Sequence, residues 1–190
     1  VAQEPTTDFT VSGTTLTFEM WMRPTIGVDS AVLFSNRNAS NVGTYIRHNT
    51  NGTITARFGS GSQTGGHTTT ATISSGSWGH VAVTWNNGTT KVYVNGTLDG
   101  TVSDDTTNGN EGIYIGGMSD GGQLFTGYMD EIRISNNIRY SSNFTPSTTA
   151  FTTDANTVLL IHSDGISTVS TNSTASEWSG GTSNFSFSGG

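Results

Sequence analysis

Short runs of alternating apolar and polar residues recur along the chain, separated by segments rich in Gly, Asn, Ser and Thr. Alternation places successive side chains on opposite faces of a β-strand, so each run predicts one strand. The clearest run extends from Leu16 to Met22, and Pro24 ends it because proline cannot donate to a ladder. No window has apolar residues at helical spacing, so the pattern predicts an all-β protein. Further strands are predicted at residues 31–35, 44–47, 53–58, 68–73, 80–85, 91–94, 112–116, 125–135 and 158–162.

Residues 78–96 contain the strongest local signal. The strands at 80–85 and 91–94 flank Asn86-Asn87-Gly88, and Asn95-Gly96 follows as a second turn. Asn and Gly tolerate the positive φ angles that tight hairpin turns need, so this stretch predicts a β-hairpin. Many short strands at this spacing predict a sandwich of two sheets. The core is expected to contain Leu16, Phe18, Met20, Val81, Val83, Val92, Val94, Ile113, Ile115, Ile132 and Ile134.

Several segments resemble, in the family's order, parts of laminin G-like domains of the concanavalin A-like lectin and glucanase superfamily, of the bacterial or phage type. These segments are the hairpin at 78–96, Leu16-Thr-Phe-Glu-Met-Trp-Met-Arg-Pro24, Ile113-Tyr-Ile-Gly-Gly117, Phe125-Thr-Gly-Tyr-Met-Asp-Glu-Ile-Arg-Ile134, and residues 139–146, which open with Arg139-Tyr140. Together they span residues 16–146, about two-thirds of the chain. The resemblance implies a jelly-roll β-sandwich of two antiparallel sheets.

The resemblance also divides the chain into a jelly-roll body, residues 1–151, and a C-terminal segment, residues 152–190. Family domains open with two strands that this chain lacks at its start, and residues 158–165 and 185–190 resemble them instead. The C-terminal strands could complete the domain in cis, or be donated to a neighbouring subunit or module. A sandwich missing a strand exposes unpaired backbone groups, and repeated head-to-tail donation makes a filament. We expect donation in trans, with an assembly strand of Val158, Leu159, Leu160 and Ile161.

The charge of the chain argues against two classes of binding partner. The 190 residues carry a formal net charge of −7, and the pI is near 4.8. Nucleic acids and anionic membrane surfaces need a basic patch, so neither is an expected partner. The longest aliphatic run, residues 158–161, is far too short to insert into a membrane. Because residue 1 is Val and no signal peptide is visible, we expect a processed chain or a piece of a longer one.

No catalytic residues are predicted. The resemblance implies that glucan-cleaving relatives carry two glutamates flanking an aspartate on one strand, because alternate residues project into the same groove. Here the nearest carboxylates, Asp130 and Glu131, are adjacent and would point to opposite faces of a regular strand. Asp104 and Asp105 have the same adjacency. The sequence therefore favours a protein that is not an enzyme, with a divergent glycoside hydrolase or lyase as an alternative.

Calcium is the one metal that the sequence suggests as a candidate cofactor. His48, His67, His80 and His162 show no paired spacing typical of metal ligands. Asp120 and Asp130 lie in or beside Gly-rich turns, and Ca²⁺ takes carboxylate and carbonyl oxygens from such loops. The alternative is that Asp120 makes an Asx-turn and Asp130 caps a loop amide.

Exposed aromatic side chains that stack on sugar rings are the usual basis of carbohydrate binding on this fold. Trp21, Trp78, Trp85 and Trp178 are candidates by type. Trp21 and Trp85 lie in predicted strands, where a position in the core is favoured. Because no loop combines aromatic and polar residues into one cluster, the sequence does not identify the ligand-binding residues.

Seven Asn-x-Ser/Thr sequons are candidates for glycosylation, and each matters only where the host glycosylates. They are Asn38, Asn51, Asn87, Asn95, Asn143, Asn172 and Asn184.

Taken together, the sequence predicts a non-catalytic, structural or adhesive module of an extracellular, cell-surface or virion protein. Its expected partners are copies of itself, in an oligomer or a fibre made by strand donation. The alternative is a lectin-like domain that binds surface glycans. The grounds are the fold resemblance, the missing catalytic carboxylates and a surface of hydroxyls and amides.

Overall fold

The protein is described by a computed structural model that covers residues 2–3, 15–25, 30–37, 43–58, 66–104, 112–118, 121–163 and 177–179. These residues form strands and loops, and they contain no helix long and apolar enough to cross a membrane. The strands are β1 Ala2–Gln3, β2 Thr15–Pro24, β3 Ala31–Ser35, β4 Tyr45–His48, β5 Thr53–Arg57, β6 His67–Thr72, β7 Gly79–Asn86, β8 Thr89–Val94, β9 Thr97–Ser103, β10 Tyr114–Ile115, β11 Gly127–Ser135, β12 Thr157–His162 and β13 Glu177–Ser179.

Two sheets pack face to face as a jelly-roll sandwich, which confirms the predicted fold class. The six-stranded sheet has the order β1-β10-β3-β4-β5-β6, and the seven-stranded sheet has the order β13-β12-β11-β2-β7-β8-β9. Neighbouring strands are antiparallel except for β12 and β13, which run parallel. The prediction of two antiparallel sheets therefore holds for every described pair but one.

The predicted hairpin is formed by β7 and β8, in a register that pairs Val81 with Val94. Its turn uses positive φ angles at Asn87 and Gly88, of 41° and 89°. At the second turn, a Cβ on Gly96 would lie 2.0 Å from the carbonyl oxygen of Phe144, so only glycine fits there. The next strand, β9, was not predicted, because its side chains are mostly polar and half-exposed.

The core lies between the two sheets, and the alternation seen in the sequence places its side chains there. Phe18 contacts Phe34 of the facing sheet, and Phe58 stacks on Trp85 with ring centroids 5.4 Å apart. All the residues predicted for the core are buried except Ile115, which is partly buried and packs against it. Alternation therefore identified the core correctly.

A long loop, residues 136–156, crosses the outer face of the seven-stranded sheet, and we call it the strap. Thr15 and Thr17 at the start of β2 donate hydrogen bonds to the carbonyl oxygens of Asn136 and Asn137. Further along, the backbone N of Phe144 donates to the carbonyl oxygen of Gly96 at 2.9 Å. The strap thus covers a sheet face that would otherwise be open to water.

The assembly strand predicted from the sequence lies in β12 and pairs with β11 of the same chain. Ile161 is opposite Ile132, and Leu159 is opposite Ile134. Leu160 is fully buried, and its neighbours pack partly against the core. In this single chain the strand completes the sheet in cis, and donation in trans stays a prediction. Residues 185–190 lie outside the described part of the chain.

Deleting residues 152–190 tests the role of this segment. The deletion uncovers the β11 edge and removes the buried Leu160, so we expect a protein that unfolds or aggregates and is rescued by a peptide of residues 156–190. Analytical ultracentrifugation of the intact chain then separates cis from trans, since only trans donation gives polymers. A truncated protein that stays monomeric and as heat-stable as the parent would show that the segment completes nothing.

One edge of the sandwich is closed by the carboxylate of Asp99 in β9. It accepts hydrogen bonds from the backbone N atoms of Thr70 and Ala71 in β6, and its Oδ1 lies 2.7 Å from Nε2 of His67. Burial alone would raise the pKa of Asp99, but the bonds from Ala71, His67 and Thr70 outweigh burial and lower the pKa to about 2. The charged form of Asp99 therefore ties the two sheets together.

We expect Asp99→Asn to lower the free energy of unfolding by about 1–2 kcal/mol at pH 7. The lowered pKa means that the stabilisation is complete above the unfolded value, 3.8, and is lost as the pH falls towards the folded value of about 2. Urea melts of both proteins should therefore converge between about pH 4 and pH 2. A difference in the free energy of unfolding between the two proteins that stays constant down to pH 2 would contradict this role for the Asp99 charge.

Candidate functional site

An open cleft lies on the outer face of the seven-stranded sheet, where the strap passes the ends of β2 and β11. Its volume is about 440 Å³. Two tryptophan rings, two carboxylates and the hydroxyls of the strap surround it. The lining residues are Trp21, Trp78, Asp130, Glu131, Ser147, Thr148, Thr149 and Ala150.

A β-bulge in β11 brings both carboxylates to this cleft. Asp130 is opposite Trp21 and Arg133 is opposite Glu19, so β11 has one more residue than β2 between these two pairs. Glu131 sits at the bulge with a φ of 51°, a left-handed conformation that is uncommon outside glycine. The prediction that Asp130 and Glu131 point to opposite faces is therefore wrong, because the strand is not regular at this point.

The oxygens of Glu131 are held by the protein itself. Its Oε1 lies 2.7 Å from Nδ1 of His162 in β12, and its Oε2 accepts a hydrogen bond from the backbone N of Phe151 in the strap. Glu131 is nearly buried. Its first role is thus to join β11, β12 and the strap at the floor of the cleft.

Asp130 is less enclosed than Glu131. Its Oδ1 accepts hydrogen bonds from the backbone N atoms of Glu131 and Ser163, at 2.8 and 2.9 Å. Asp120, the other candidate calcium ligand, lies outside the described residues. Among the residues that are described, no three His, Asp or Glu side chains come together as a metal site. Calcium binding stays a prediction.

The aromatic rings of the cleft differ in exposure. Trp85 is buried in the core as expected, but Trp21 is only half-buried and lies on the outer face, so the core expectation is wrong for it. The Nε1 of Trp21 donates to the carbonyl oxygen of Ser147 at 2.9 Å, which fixes the ring at the cleft wall. The side chain of Trp178 lies outside the described part.

Trp78 supplies the exposed edge of the cleft. Its side chain is 47% exposed, and that of Tyr128 beside it is 62% exposed, with ring centroids 6.5 Å apart. The guanidinium carbon of Arg23 lies 5.6 Å from the Tyr128 ring centroid. Large aromatic surfaces left open to water in this way are typical of ligand sites.

Beside the cleft, the outer face carries a fully buried carboxylate, that of Glu19. Its Oε1 accepts two hydrogen bonds from the guanidinium of Arg133, at 2.9 and 2.7 Å, and its Oε2 accepts one from the hydroxyl of Tyr140 at 2.6 Å. Nε2 of His80 lies 3.4 Å from the same Oε2. Burial opposes the charge, but His80, Tyr140 and Arg133 together lower the pKa of Glu19. Burial and the Glu19 charge raise the pKa of Tyr140.

The comparison with known families agrees with this geometry. The sequence model described as the concanavalin A-like lectin/glucanases superfamily, of laminin G type, matches residues 2–143. The chain belongs to this superfamily. A search of curated protein sequences gave no match.

Solved structures share the laminin G-like fold at low sequence identity. A protein from Bacteroides ovatus, described as a candidate carbohydrate-binding protein, is 21% identical with a TM-score of 0.62, and the match covers 83% of this chain and 47% of that one. The Ruminococcus gnavus sialidase module CBM40, bound to α2,3-sialyllactose, is 13% identical with a TM-score of 0.58, covering 69% and 80%. Domains LG4-5 of the mouse laminin α1 chain are 15% identical with a TM-score of 0.53, covering 70% and 39%.

The family motifs of this laminin G-like domain supply the Glu19 network. Glu19 comes from the β2 motif, Arg133 from the β11 motif, and Arg139-Tyr140 from the motif that opens the strap. Arg139 also donates to Asp154 at the other end of the strap, at 2.9 and 2.8 Å. The motifs that identify the family therefore attach the strap to the sheet, and they also contain Trp21 and Trp78, which line the cleft.

The histidines of this laminin G-like domain lie apart from one another. His48 contacts the carbonyl oxygen of Ile73, and burial lowers the pKa of His48. His67 pairs with Asp99, and His162 pairs with Glu131. His80 packs edge-on against Trp21 and the strap phenylalanines.

Four sequon asparagines lie at exposed positions on the sandwich. The side-chain oxygens of Asn51, Asn95 and Asn143 accept hydrogen bonds from nearby backbone N atoms, while Asn87 occupies the β7–β8 turn. The other three, Asn38, Asn172 and Asn184, lie outside the described residues. Glycosylation stays a prediction at all seven.

We expect Glu19→Gln to lower the free energy of unfolding by about 3 kcal/mol, because it removes the fully buried carboxylate charge that pairs with the partly buried Arg133. Asp154→Asn is the control, since it removes the exposed carboxylate from the same strap and should have a much smaller effect. Urea denaturation at pH 7 measures both. Equal stabilities of Glu19→Gln and the parent would refute the structural role of Glu19.

Proposed function

We propose that this domain is a non-catalytic carbohydrate-binding module and that the cleft is its sugar site. The observation that carries the proposal is the exposed ring of Trp78 at the edge of a cleft that Trp21 also lines, with the exposed ring of Tyr128 beside Trp78. A sugar ring has an apolar face of C–H groups that can lie on an aromatic ring.

The polar side of the cleft suits sugar hydroxyls. Ser147 and Thr149 bring hydroxyls from the strap, and their mutual hydrogen bond fixes the turn that carries them. Bonds among the described residues use Oδ1 of Asp130, which leaves Oδ2 as an acceptor for a ligand. Because Asp130 and Glu131 are both acidic, the cleft should favour neutral or N-acetylated sugars over uronates and sialic acid.

The same carboxylates are poorly placed for catalysis. A glycosidase needs two carboxyl groups that exchange protons with the substrate or attack it. Both oxygens of Glu131 are bonded within the protein, to His162 and to the backbone of Phe151. Asp130 is tied to two backbone amides. We therefore propose binding without turnover.

Fold relatives give this proposal independent support. The Bacteroides ovatus structure is described as a candidate carbohydrate-binding protein, and the CBM40 structure contains a sialylated sugar. We propose in addition that the domain works outside the cell, on a cell surface or a virion, where polysaccharides are accessible.

Trp78→Ala tests the sugar site. A glycan array first identifies a neutral ligand, and isothermal titration calorimetry then measures its affinity for parent and variant. We expect at least a tenfold loss in affinity, about 1.4 kcal/mol, with little change in melting temperature because about half of the Trp78 surface is exposed.

Leu124→Ala is the matched control, since Leu124 is an equally exposed large apolar residue that does not line the cleft. It should bind like the parent. An array with no neutral ligand, or an affinity that Trp78→Ala leaves unchanged, would contradict the proposal. Turnover of a glycan that depends on Asp130 or Glu131 would replace it with an enzyme.

Self-assembly by strand donation is the second candidate function. The observation that favours it is the connection to β12, in which residues 152–155 are all exposed, so little apolar surface is buried between the strap and the apolar strand. A neighbour's β12 could then occupy the same place beside β11. Filaments in electron micrographs of the intact chain would support this role, and a monomer at all concentrations would exclude it.

A further inference from the structure

Three of the seven cationic residues of the chain gather on the outer face of the six-stranded sheet, away from the cleft. Arg57 in β5 is directly opposite Tyr45 in β4, and Arg47 lies two residues after Tyr45 on the same face. Arg37 follows β3, in which Ser35 is opposite Tyr45. We call Arg37, Arg47 and Arg57 the arginine row.

The ring of Tyr45 lies among these guanidinium groups. The guanidinium carbon of Arg37 is 4.9 Å from the ring centroid, and that of Arg47 is 5.5 Å from it. Burial lowers the pKa of Arg37, and the charges of Arg57 and Arg47 lower it further while Tyr45 opposes them. Stacking on the ring offsets part of the repulsion between like charges. The arrangement concentrates positive charge on a protein whose net charge is −7.

Two members of the row, Arg37 and Arg47, have no carboxylate partner in the described part of the chain. Among the described residues, neither Arg37 nor Arg47 makes a salt bridge, and the buried Nε of Arg37 has no hydrogen-bond partner there. Arg37 is only 8% exposed. In the sequence, the residues that follow Arg37 and Arg57, 38–42 and 59–65, include no Asp or Glu. The carboxylate beside the row, Asp104, accepts hydrogen bonds from the backbone N of Phe58 and the hydroxyl of Thr90.

Arg47 is held in position by its neighbours. Its Nε donates to Oδ1 of Asn49 at 2.8 Å, and Nδ2 of Asn49 donates to the hydroxyls of Thr53 and Thr55. The Thr55 hydroxyl is also bonded to that of Thr68. This network leaves the terminal Nη groups of Arg47 beside a band of hydroxyls, which suits a ligand that combines an acidic group with alcohols.

We propose that the arginine row is a second binding site, which takes the acidic group of a polysaccharide, a carboxylate or a sulfate. The planar fork of arginine matches both groups in geometry and charge. Arg47 and Arg57 would contact the anion, and Arg37 would add charge from beneath. The acidic cleft on the other sheet selects against such groups, so the two sites separate neutral from acidic sugars.

Calorimetric titration with three oligosaccharides of equal length tests this site. The probes are a heparin hexasaccharide, which carries sulfates and carboxylates, a galacturonate hexamer, which carries carboxylates alone, and neutral maltohexaose. We expect at least one of the two acidic probes to bind, and maltohexaose not to bind at the row. The preferred acidic probe assigns the anion to sulfate or carboxylate. The affinity of the preferred acidic probe should fall about tenfold when NaCl is raised from 50 to 500 mM.

Arg47→Gln and Arg57→Gln should each weaken binding of the acidic probe at least tenfold. Lys91→Gln is the charge-matched control, because Lys91 lies on the other sheet and donates to the carbonyl oxygen of Ser141. It should change the affinity less than twofold, and Trp78→Ala should leave it unchanged. Arg47→Lys keeps the positive charge but loses the planar guanidinium, so its affinity for the acidic probe should lie between those of the parent and Arg47→Gln. It also tests the site if Arg47→Gln does not fold.

Four results would overturn the proposal. The first is that neither acidic probe binds, and the second is that Lys91→Gln loses as much affinity for the acidic probe as the arginine variants. The third is that Trp78→Ala loses affinity for the acidic probe, and the fourth is that sodium sulfate binds as tightly as the oligosaccharides. Loss of affinity for the acidic probe in Trp78→Ala would show that acidic sugars bind in the cleft. If only the neutral ligand fails to bind, the proposed function is wrong and the arginine row is unaffected.

Discussion

The buried charge of Glu19 is the interaction on which the rest of this structure depends. A carboxylate in a sheet face that is closed to water is costly unless partners surround it, and here Arg133, Tyr140 and His80 do so. Two of these partners come from the sheet and one from the strap. Satisfying Glu19 therefore requires the strap to lie across the sheet.

The fixed strap in turn makes the cleft. Trp21 lies two residues after Glu19 on the same face, and its indole nitrogen holds Ser147, so one strand positions both the charge and the cleft wall. The bulge at Glu131 is also held by the strap, because the backbone N of Phe151 donates to the carboxylate of Glu131. A glycan at Trp78 would thus lie against a surface whose shape is set by the buried network.

Features that depend on local sequence could be predicted, and those that depend on distant contacts could not. The β7–β8 hairpin follows from Asn87 and Gly88, whose positive φ angles need no outside support. The bulge has no such signal, because Glu131 adopts its positive φ only with the strap and β12 in place. Alternation predicted the core and placed Trp21 on the opposite face of β2. The core position expected for Trp21 came from its residue type, because a strap covering the outer face leaves no period in the sequence. The cleft combines residues from four separate regions of the chain, around Trp21, Trp78, Asp130 and Ser147, which no spacing connects.

A two-dimensional ¹⁵N spectrum of the indole N–H groups tests the central claim most directly, because the four tryptophans give separate reporters of cleft and core. Titration with a neutral oligosaccharide should shift the Trp78 signal in a saturable way and the Trp21 signal with it. The Trp85 signal should stay in place, because that ring is buried against Phe58. Saturable shifts that leave Trp78 and Trp21 untouched would show that the sugar binds elsewhere and would contradict the account.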